Sequence, residues 1–188
     1  QSKLTIDRNT PIIAFGGGVT GDLAGFVAST ILRGVPLVQI PTTLLAMVDS
    51  SVGAKVAINS SVGKNRVGSF YPPQMVYVAT HMLRSLPEKD WRCGLGEILK
   101  YAVLMDETYW DLVQDLSKEI TLHSESALPL REMNFTIWQH IIFRSIAYKN
   151  DIVKKDPLEN NFRKALNLGH SIGHVLERAA LDSGIEIS

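Results

Sequence analysis

The run Pro11-Ile-Ile-Ala-Phe15, followed by Gly16-Gly-Gly18 and then by Gly21-Asp-Leu-Ala-Gly-Phe-Val-Ala-Ser-Thr-Ile-Leu32, leaves few folds open to this chain. A short apolar run, a glycine bend and a segment of helical composition read as strand, turn and helix. In such a unit the N–H groups at the helix start and the positive end of the helix dipole form an anion cradle. Glycines there let a diphosphate approach the main chain. Gly16, Gly18 and Gly21 satisfy G-x-G-x-x-G. The acidic residue that usually closes the next strand is missing, because Val35-Pro-Leu-Val-Gln-Ile40 stands in its place. A tight structural turn therefore explains the glycines as well as a dinucleotide site does. A dinucleotide bound here would need its adenosine end held elsewhere, upstream of residue 1.

Pro41-Thr-Thr43 puts paired hydroxyls at the carboxyl end of the second strand, where open α/β sheets bind ligands. Asp49-Ser-Ser-Val-Gly-Ala-Lys55-Val-Ala-Ile-Asn59 and Gly63-Lys64-Asn65-Arg66 then combine cations, amides and glycines. That set suits a phosphate or carboxylate ligand, although a basic surface loop has the same composition. Gln74-Met-Val-Tyr-Val-Ala79 reads as another buried strand after the turn at Pro72-Pro73. Beyond Leu86-Pro87 helical periods replace strand-like runs, which places a boundary near residues 80–87. Residues 1–85 are then the end of an α/β domain and residues 86–188 the start of a helical one.

Within the second part, Trp91 to Met105 is expected as one helix burying Leu95, Ile98, Leu99, Ala102 and Val103, with Glu97, Lys100 and Tyr101 on the remaining surface. An amphipathic helix is expected over 107–119. A long one is expected over about 131–154, with Trp138, Ile141, Ile142, Ile146 and Ile152 inward. Asp156-Pro157 stops it, and Asn160-Asn161 makes a turn with left-handed backbone. Lys164 to Ala180 reads as a single helix. At about 100° per residue, Ile172, Val175, Leu176 and Ala179 form one stripe. Asn167, His170 and His174 lie opposite it, with Arg163 one turn earlier.

Two histidines one turn apart, with Asn, are unusual on a solvated face. Such a pair can ligate one metal as in H-E-x-x-H, but Ser171 replaces the Glu and a protease would lack its general base. Glu97 with His170 suits zinc with a position left for substrate oxygens, and such a site needs a third ligand. His174 or a residue beyond Ser188 would supply it. His81, His123 and His140 have no companions at ligand spacing and read as structural or solvent-facing.

Nineteen basic residues balance nineteen acidic ones, so no long-range field attracts nucleic acid or an anionic membrane, and an anionic ligand must be met by local cations. The single cysteine, Cys93, excludes an internal disulfide and a multi-cysteine zinc site, which fits a reducing cytoplasm. No apolar run approaches the roughly 18 residues of a membrane span, and the first residues lack the apolar segment of a signal peptide. The first residue is not Met, so a partial chain is expected.

Taken in order, Gly16-Gly-Gly-Val-Thr-Gly-Asp22, Pro41-Thr-Thr-Leu-Leu-Ala-Met-Val-Asp-Ser-Ser-Val-Gly-Ala-Lys55, Ala57-Ile-Asn59, Gly63-Lys-Asn65, Gly96-Glu-Ile-Leu-Lys100 and Leu166-Asn-Leu-Gly-His-Ser-Ile-Gly-His174 closely resemble the 3-dehydroquinate synthase family of sugar phosphate cyclases, over nearly the whole chain. The resemblance implies an α/β fold: part of a Rossmann-like NAD-binding domain followed by an all-helical metal and substrate domain. It implies conversion of 3-deoxy-D-arabino-heptulosonate 7-phosphate to 3-dehydroquinate and phosphate. The steps would be transient oxidation by NAD, phosphate elimination, re-reduction and intramolecular aldol closure, with Zn2+ or Co2+ bound.

Carried onto this chain, the family pattern makes Glu97 and His170 two of three metal ligands, the third lying in a His-Gly-Glu motif expected beyond Ser188. His174 then matches a substrate contact rather than a ligand. Gly17, Gly18, Val19, Thr20, Gly21, Asp22, Thr42, Thr43, Lys55 and Lys64 resemble the NAD contacts, together with the turn Met82-Leu83-Arg84-Ser85. Asp49, Lys55, Asn65, Lys100, Lys149, Arg163, Asn167 and His174 resemble the substrate pocket, with Asp49, Lys55, Lys100, Lys149 and His174 its catalytic members. Arg33 resembles an arginine lent to a neighbouring subunit's phosphate site, which implies a homodimer. Ala54 and Val56 stand where the family usually has Gly and Thr, Pro157 where it has Glu and Asn161 where it has Gly. The rival readings are a sister cyclase making a valiolone or inosose ring, a metal-dependent polyol dehydrogenase, and a non-catalytic nucleotide-binding remnant.

Overall fold

Alternating apolar and small residues in the first half build a parallel sheet, and that sheet sets the position of everything downstream. The computed structural model describes residues 6–60, 63–125, 130 and 135–184. Strand β1 (Ile12–Gly16) runs into α1 (Gly18–Thr30), and β2 (Leu37–Pro41) returns beside β1 in parallel, with Ile12 opposite Leu37 and Gly16 opposite Pro41. The expected strand, glycine bend and helix is therefore present. Ala14, Ala28, Val35 and Leu37 form a small apolar cluster between sheet and helix. Buried Gln39 donates from its amide to the Gly21 carbonyl at 3.3 Å, and a Cβ on Gly21 would stand 2.6 Å from Gln39 Oε1. Close helix–strand packing is why that position is glycine.

The Gln74–Ala79 segment is less of a strand than its composition suggests. Only β5 (Met75–Val76) pairs, at the edge beside β2, and Met75 and Tyr77 are both more than half exposed. The polar stretch whose composition also fits a surface loop is an antiparallel hairpin of β3 (Lys55–Ser60) and β4 (Gly63–Phe70). Its alternating Val56 and Ile58 were the available signal.

Thr43 caps the short helix α2 (Leu44–Val48), its hydroxyl accepting from the Ala46 N–H at 3.2 Å. The helix is only five residues long, yet Leu44, Met47 and Val48 are wholly buried. They pack into a second, larger apolar cluster with α3 (Glu88–Leu104), α4 (Glu107–Glu125) and α5 (Phe135–Lys155). Trp91 and Trp138 meet edge to face there at 4.6 Å. Helix α3 begins after Pro87 with Glu88 and Asp90 at its positive end, and α5 finishes on Lys154-Lys155 before Asp156-Pro157.

Helix α3 is rotated from the expected orientation. Trp91, Gly94, Ile98, Tyr101 and Ala102 face the core, whereas Leu99 and Val103 are 56% and 63% exposed. Lys100 and Tyr101 are buried because both have buried polar partners, a cause that hydropathy does not register.

Lys164 to Ala180 is not one helix. A 3-10 turn spans Phe162–Asn167, Leu168 is non-helical, Gly169 adopts φ +83°, and α6 (His170–Asp182) starts afresh. The stripe expected to be core is exposed, with Ile172 at 72%, Val175 at 67% and Leu176 at 60%. The left-handed residue of the preceding turn is Glu159, at φ +58°, while Asn161 sits at φ −125°. The side chains of His123 and His174 lie outside the described residues.

Gly94 records the tightness of the junction between the halves, since a Cβ there would stand 2.5 Å from Leu44 Cγ. Gly94→Ala is expected to lower stability by about 1–2 kcal/mol despite the better helix propensity of Ala. Denaturant titration should show most of that loss recovered in the Leu44→Ala background, and strictly additive effects would count against this packing.

Candidate functional site

Asp49 leaves α2 at its C-cap, where Tyr101 of α3 donates to its Oδ1 at 2.9 Å and to the Val48 carbonyl at 3.2 Å. Lys149, near the end of α5, donates to the Asp49 carbonyl and to Oδ1, each at 2.6 Å. Lys100 stands 3.9 Å from the same carboxylate and donates to Glu97 Oε2 one helical turn back. The other oxygen of Glu97 faces His170 Nε2 at 3.8 Å. Four elements thus contribute to one continuous polar chain: α2, α3, α5 and α6.

These groups border a cavity of about 630 Å³. Of the residues expected from sequence, Asp22, Asp49, Lys55, Asn65, Lys100, Lys149, Arg163, Asn167 and His170 line it, and Glu97 reaches it through His170 and Lys100. Arg163 is almost fully buried and donates to the carbonyls of Gly53 and Pro157. Asp156 shapes that corner by accepting from the backbone N–H groups of Asn160, Asn161 and Arg163. The Gly17–Gly21 bend, Thr42, Thr43, Lys64, Arg33 and the Met82–Ser85 turn lie outside the lining. Leu83 is wholly buried in the helical core, so it offers a ligand only main-chain atoms.

The sequence reading missed Glu159, which pairs with Lys55 and accepts from the Asn167 amide at 2.7 Å. It lies in the irregular segment after Asp156-Pro157, where no periodicity marks a side chain's direction. The hairpin's Ser69, Phe70 and Arg66 were not expected at the cavity, because the composition of this segment fits a surface loop equally well.

Two features bear on bound groups. No side chain caps the start of α1 at Gly17, and no acidic residue occupies its first turn, so those N–H groups fit a diphosphate. Glu97 and His170 form an oxygen and nitrogen donor pair, and 3.8 Å is too long for a hydrogen bond. That separation lets both reach one divalent cation at about 2.0–2.2 Å. Among the described residues no group of three such donors converges.

Burial opposes ionisation of Asp49, but the ammonium groups of Lys149 and Lys100 and the hydrogen bonds from Lys149 and Tyr101 hold its carboxyl below the usual range. Burial, with Asp49 as ionised neighbour, pushes Asp22 up to about 6. Lys149 is lowered by burial, and Lys55 by burial and by the charges of Arg163 and Lys149. Tyr101 is raised by burial and by Asp49.

A carboxyl raised in the folded state holds its proton more tightly there than in the unfolded chain. The cost of ionised Asp22 is therefore absent below about pH 4, grows as pH rises toward 6, and is complete above it. Asp22→Asn should stabilise the fold at pH 8 by on the order of 1 kcal/mol, discounted for the carboxyl's partial exposure, and should gain nothing at pH 4. Urea titrations at the two pH values check this, and equal gains at both would refute the assignment.

Family models for the 3-dehydroquinate synthase N-terminal and C-terminal regions match residues 1–93 and 94–185. A 3-dehydroquinate synthase of Leptospira interrogans is 47% identical over 172 residues, covering 91% of this chain and 45% of that protein. One of Nitrosospira multiformis is 47% identical over 173 residues, covering 92% and 44%. Among solved structures, 2-deoxy-scyllo-inosose synthase complexed with carbaglucose-6-phosphate, NAD+ and Co2+ superposes with TM-score 0.77 at 31% identity, covering 96% of this chain and 47% of that one. The 2-epi-5-epi-valiolone synthase of Streptomyces hygroscopicus subsp. jinggangensis 5008, with NAD+ and Zn2+ bound, gives TM-score 0.77 at 32% identity, covering 91% and 45%. The chain spans about half the length of the curated relatives it matches. With the two family models adjoining from residue 1 to residue 185 on this parallel-sheet and helical frame, the chain belongs to the 3-dehydroquinate synthase family.

Proposed function

We propose that the protein carrying this chain is a 3-dehydroquinate synthase, a carbon–oxygen lyase of aromatic amino acid biosynthesis that turns 3-deoxy-D-arabino-heptulosonate 7-phosphate into 3-dehydroquinate and phosphate. The observation that carries the reading is the approach of Glu97 to His170 within 3.8 Å beside a cavity lined by Lys55, Lys149 and Arg163. A divalent-cation donor pair and an anion pocket share one space, as the reaction needs. The 42–47% identity to curated 3-dehydroquinate synthases favours this substrate over those of the sister cyclases.

In this reading Glu97 and His170 hold Zn2+ or Co2+, and the α1 N-terminus with Gly17, Gly18, Val19, Thr20, Gly21 and Asp22 holds NAD. Thr42, Thr43, Lys55, Lys64 and the Met82–Ser85 turn complete that NAD site. When bound, NAD supplies a reversible hydride transfer and the cation polarises the substrate oxygens. Lys55, Asn65, Lys149, Arg163, Asn167 and His174 position the phosphorylated sugar acid. Lys100, fixed by Glu97 and Asp49, presents its ammonium where negative charge develops. Asp49 stays ionised and fixes the positions of the Lys149 and Lys100 side chains. Much of the catalysis is positioning. We also infer that residues 1–85 belong to the NAD domain and 86–188 to the metal domain. Arg33, exposed and outside the cavity lining, serves the second subunit of a homodimer. Among the described residues no helix is long and apolar enough to cross a membrane.

The full-length protein, given the seven-carbon phosphate, NAD and zinc, should release phosphate with no net NADH; steady NADH accumulation would mark a polyol dehydrogenase instead, and absence of turnover a remnant. His170→Ala should lose bound metal, read by elemental analysis, with activity down at least about 100-fold. His174→Ala should keep its metal, and equal loss in both variants would overturn the ligand assignment.

A further inference from the structure

We propose that Arg66 is a phosphate-specifying contact of this site, receiving the phosphate monoester of the substrate. The proposal rests on the functional reading above and adds a residue to it.

The hairpin register brings Arg66, an exposed side chain, to the edge of the cavity. Ile58 pairs with Val67 and Ser60 with Gly63, so residues 64–66 of β4 bulge opposite the single residue Asn59. Asn59 Oδ1 accepts from the Asn65 N–H at 3.1 Å, and Asn65 turns left-handed at φ +54°. A regular strand would send Asn65 and Arg66 to opposite faces, but the bulge lets both line the cavity.

The charge state of the neighbours then singles out Arg66. Lys55 is committed to Glu159, Lys100 to Glu97, Lys149 to Asp49, and Arg163 to two carbonyls. Arg66 is the one cavity Lys or Arg that has no ion pair or hydrogen bond among the described residues. Its planar fork can meet a phosphate without first breaking a pair. The hairpin wall contributes Lys55, Asn65, Arg66 and Ser69 to the lining and no carboxylate, whereas Asp22, Asp49 and Glu159 stand on the other walls. The most highly charged end of the ligand is therefore best placed against the hairpin.

Inorganic phosphate titrated calorimetrically into the full-length protein is the direct probe, since it needs no turnover and stays informative if the proposed reaction fails. Arg66→Gln should weaken phosphate binding roughly tenfold or more, and Arg66→Lys should recover part of the loss. In turnover Arg66→Gln should raise KM for the phosphorylated substrate by a similar factor with kcat changed less than about threefold. Inhibition by 3-dehydroquinate, which has no phosphate, should be unaffected. Three results would each overturn the proposal: wild-type protein that takes up no phosphate, phosphate affinity unchanged in Arg66→Gln, or an equal loss for phosphate and for 3-dehydroquinate.

Discussion

The buried contact between Asp49 and Lys149 is the constraint on which the site depends. Asp49 sits where the chain leaves the sheet through α2, and Lys149 comes from α5, a hundred residues later in sequence. Lys100 and Tyr101 approach the same carboxylate from α3. Burying these charges is costly, and leaving one without its partner typically costs ~3–5 kcal/mol. The arrangement persists because each charge has a partner, and the same partners form one wall of the cavity.

Around that fixed point the electrostatics are local. A chain of zero net charge concentrates five Lys and Arg side chains in one cavity, against three carboxylates. The three lysines are each paired with a carboxylate, which lets the cations coexist at close range. Backbone strain gathers here as well, with Ala54, Asn65 and Glu159 all in the left-handed region near the cavity. At Asn65 the cost is small, because Asn tolerates that conformation, and it is higher for Ala54. The resemblance to the family leads one to expect Gly at position 54, and the φ of +54° at Ala54 is a conformation that glycine adopts without strain.

What sequence could show differed by element. The glycine bend was legible because it joins an apolar run to a helix. The long helix α5 was legible because its apolar residues keep one period over twenty-one residues. Helix α3 was found in place, but its orientation was misread. Lys100 and Tyr101 are buried by polar partners from distant segments, and hydropathy counts both as outward. Residues 164–180 failed as one helix because Gly169 at φ +83° ends a 3-10 turn just before α6 begins. Asn167 and His170 consequently share the cavity from two elements, not as neighbours on one helical face.

By itself the sequence determined the types of group present: a glycine bend at a helix start, a carboxylate and an imidazole of the kinds that ligate cations, and several Lys and Arg side chains. These follow from residue type and short-range spacing, which a linear chain displays. Only tertiary structure decided which groups meet, because hydrogen bonds and ion pairs between residues a hundred positions apart leave no local periodicity. The 3.8 Å approach of Glu97 to His170, the Glu159 bridge between Lys55 and Asn167, and the place of Arg66 in the cavity lining all depend on how the sheet loop, the hairpin and the helices are packed together.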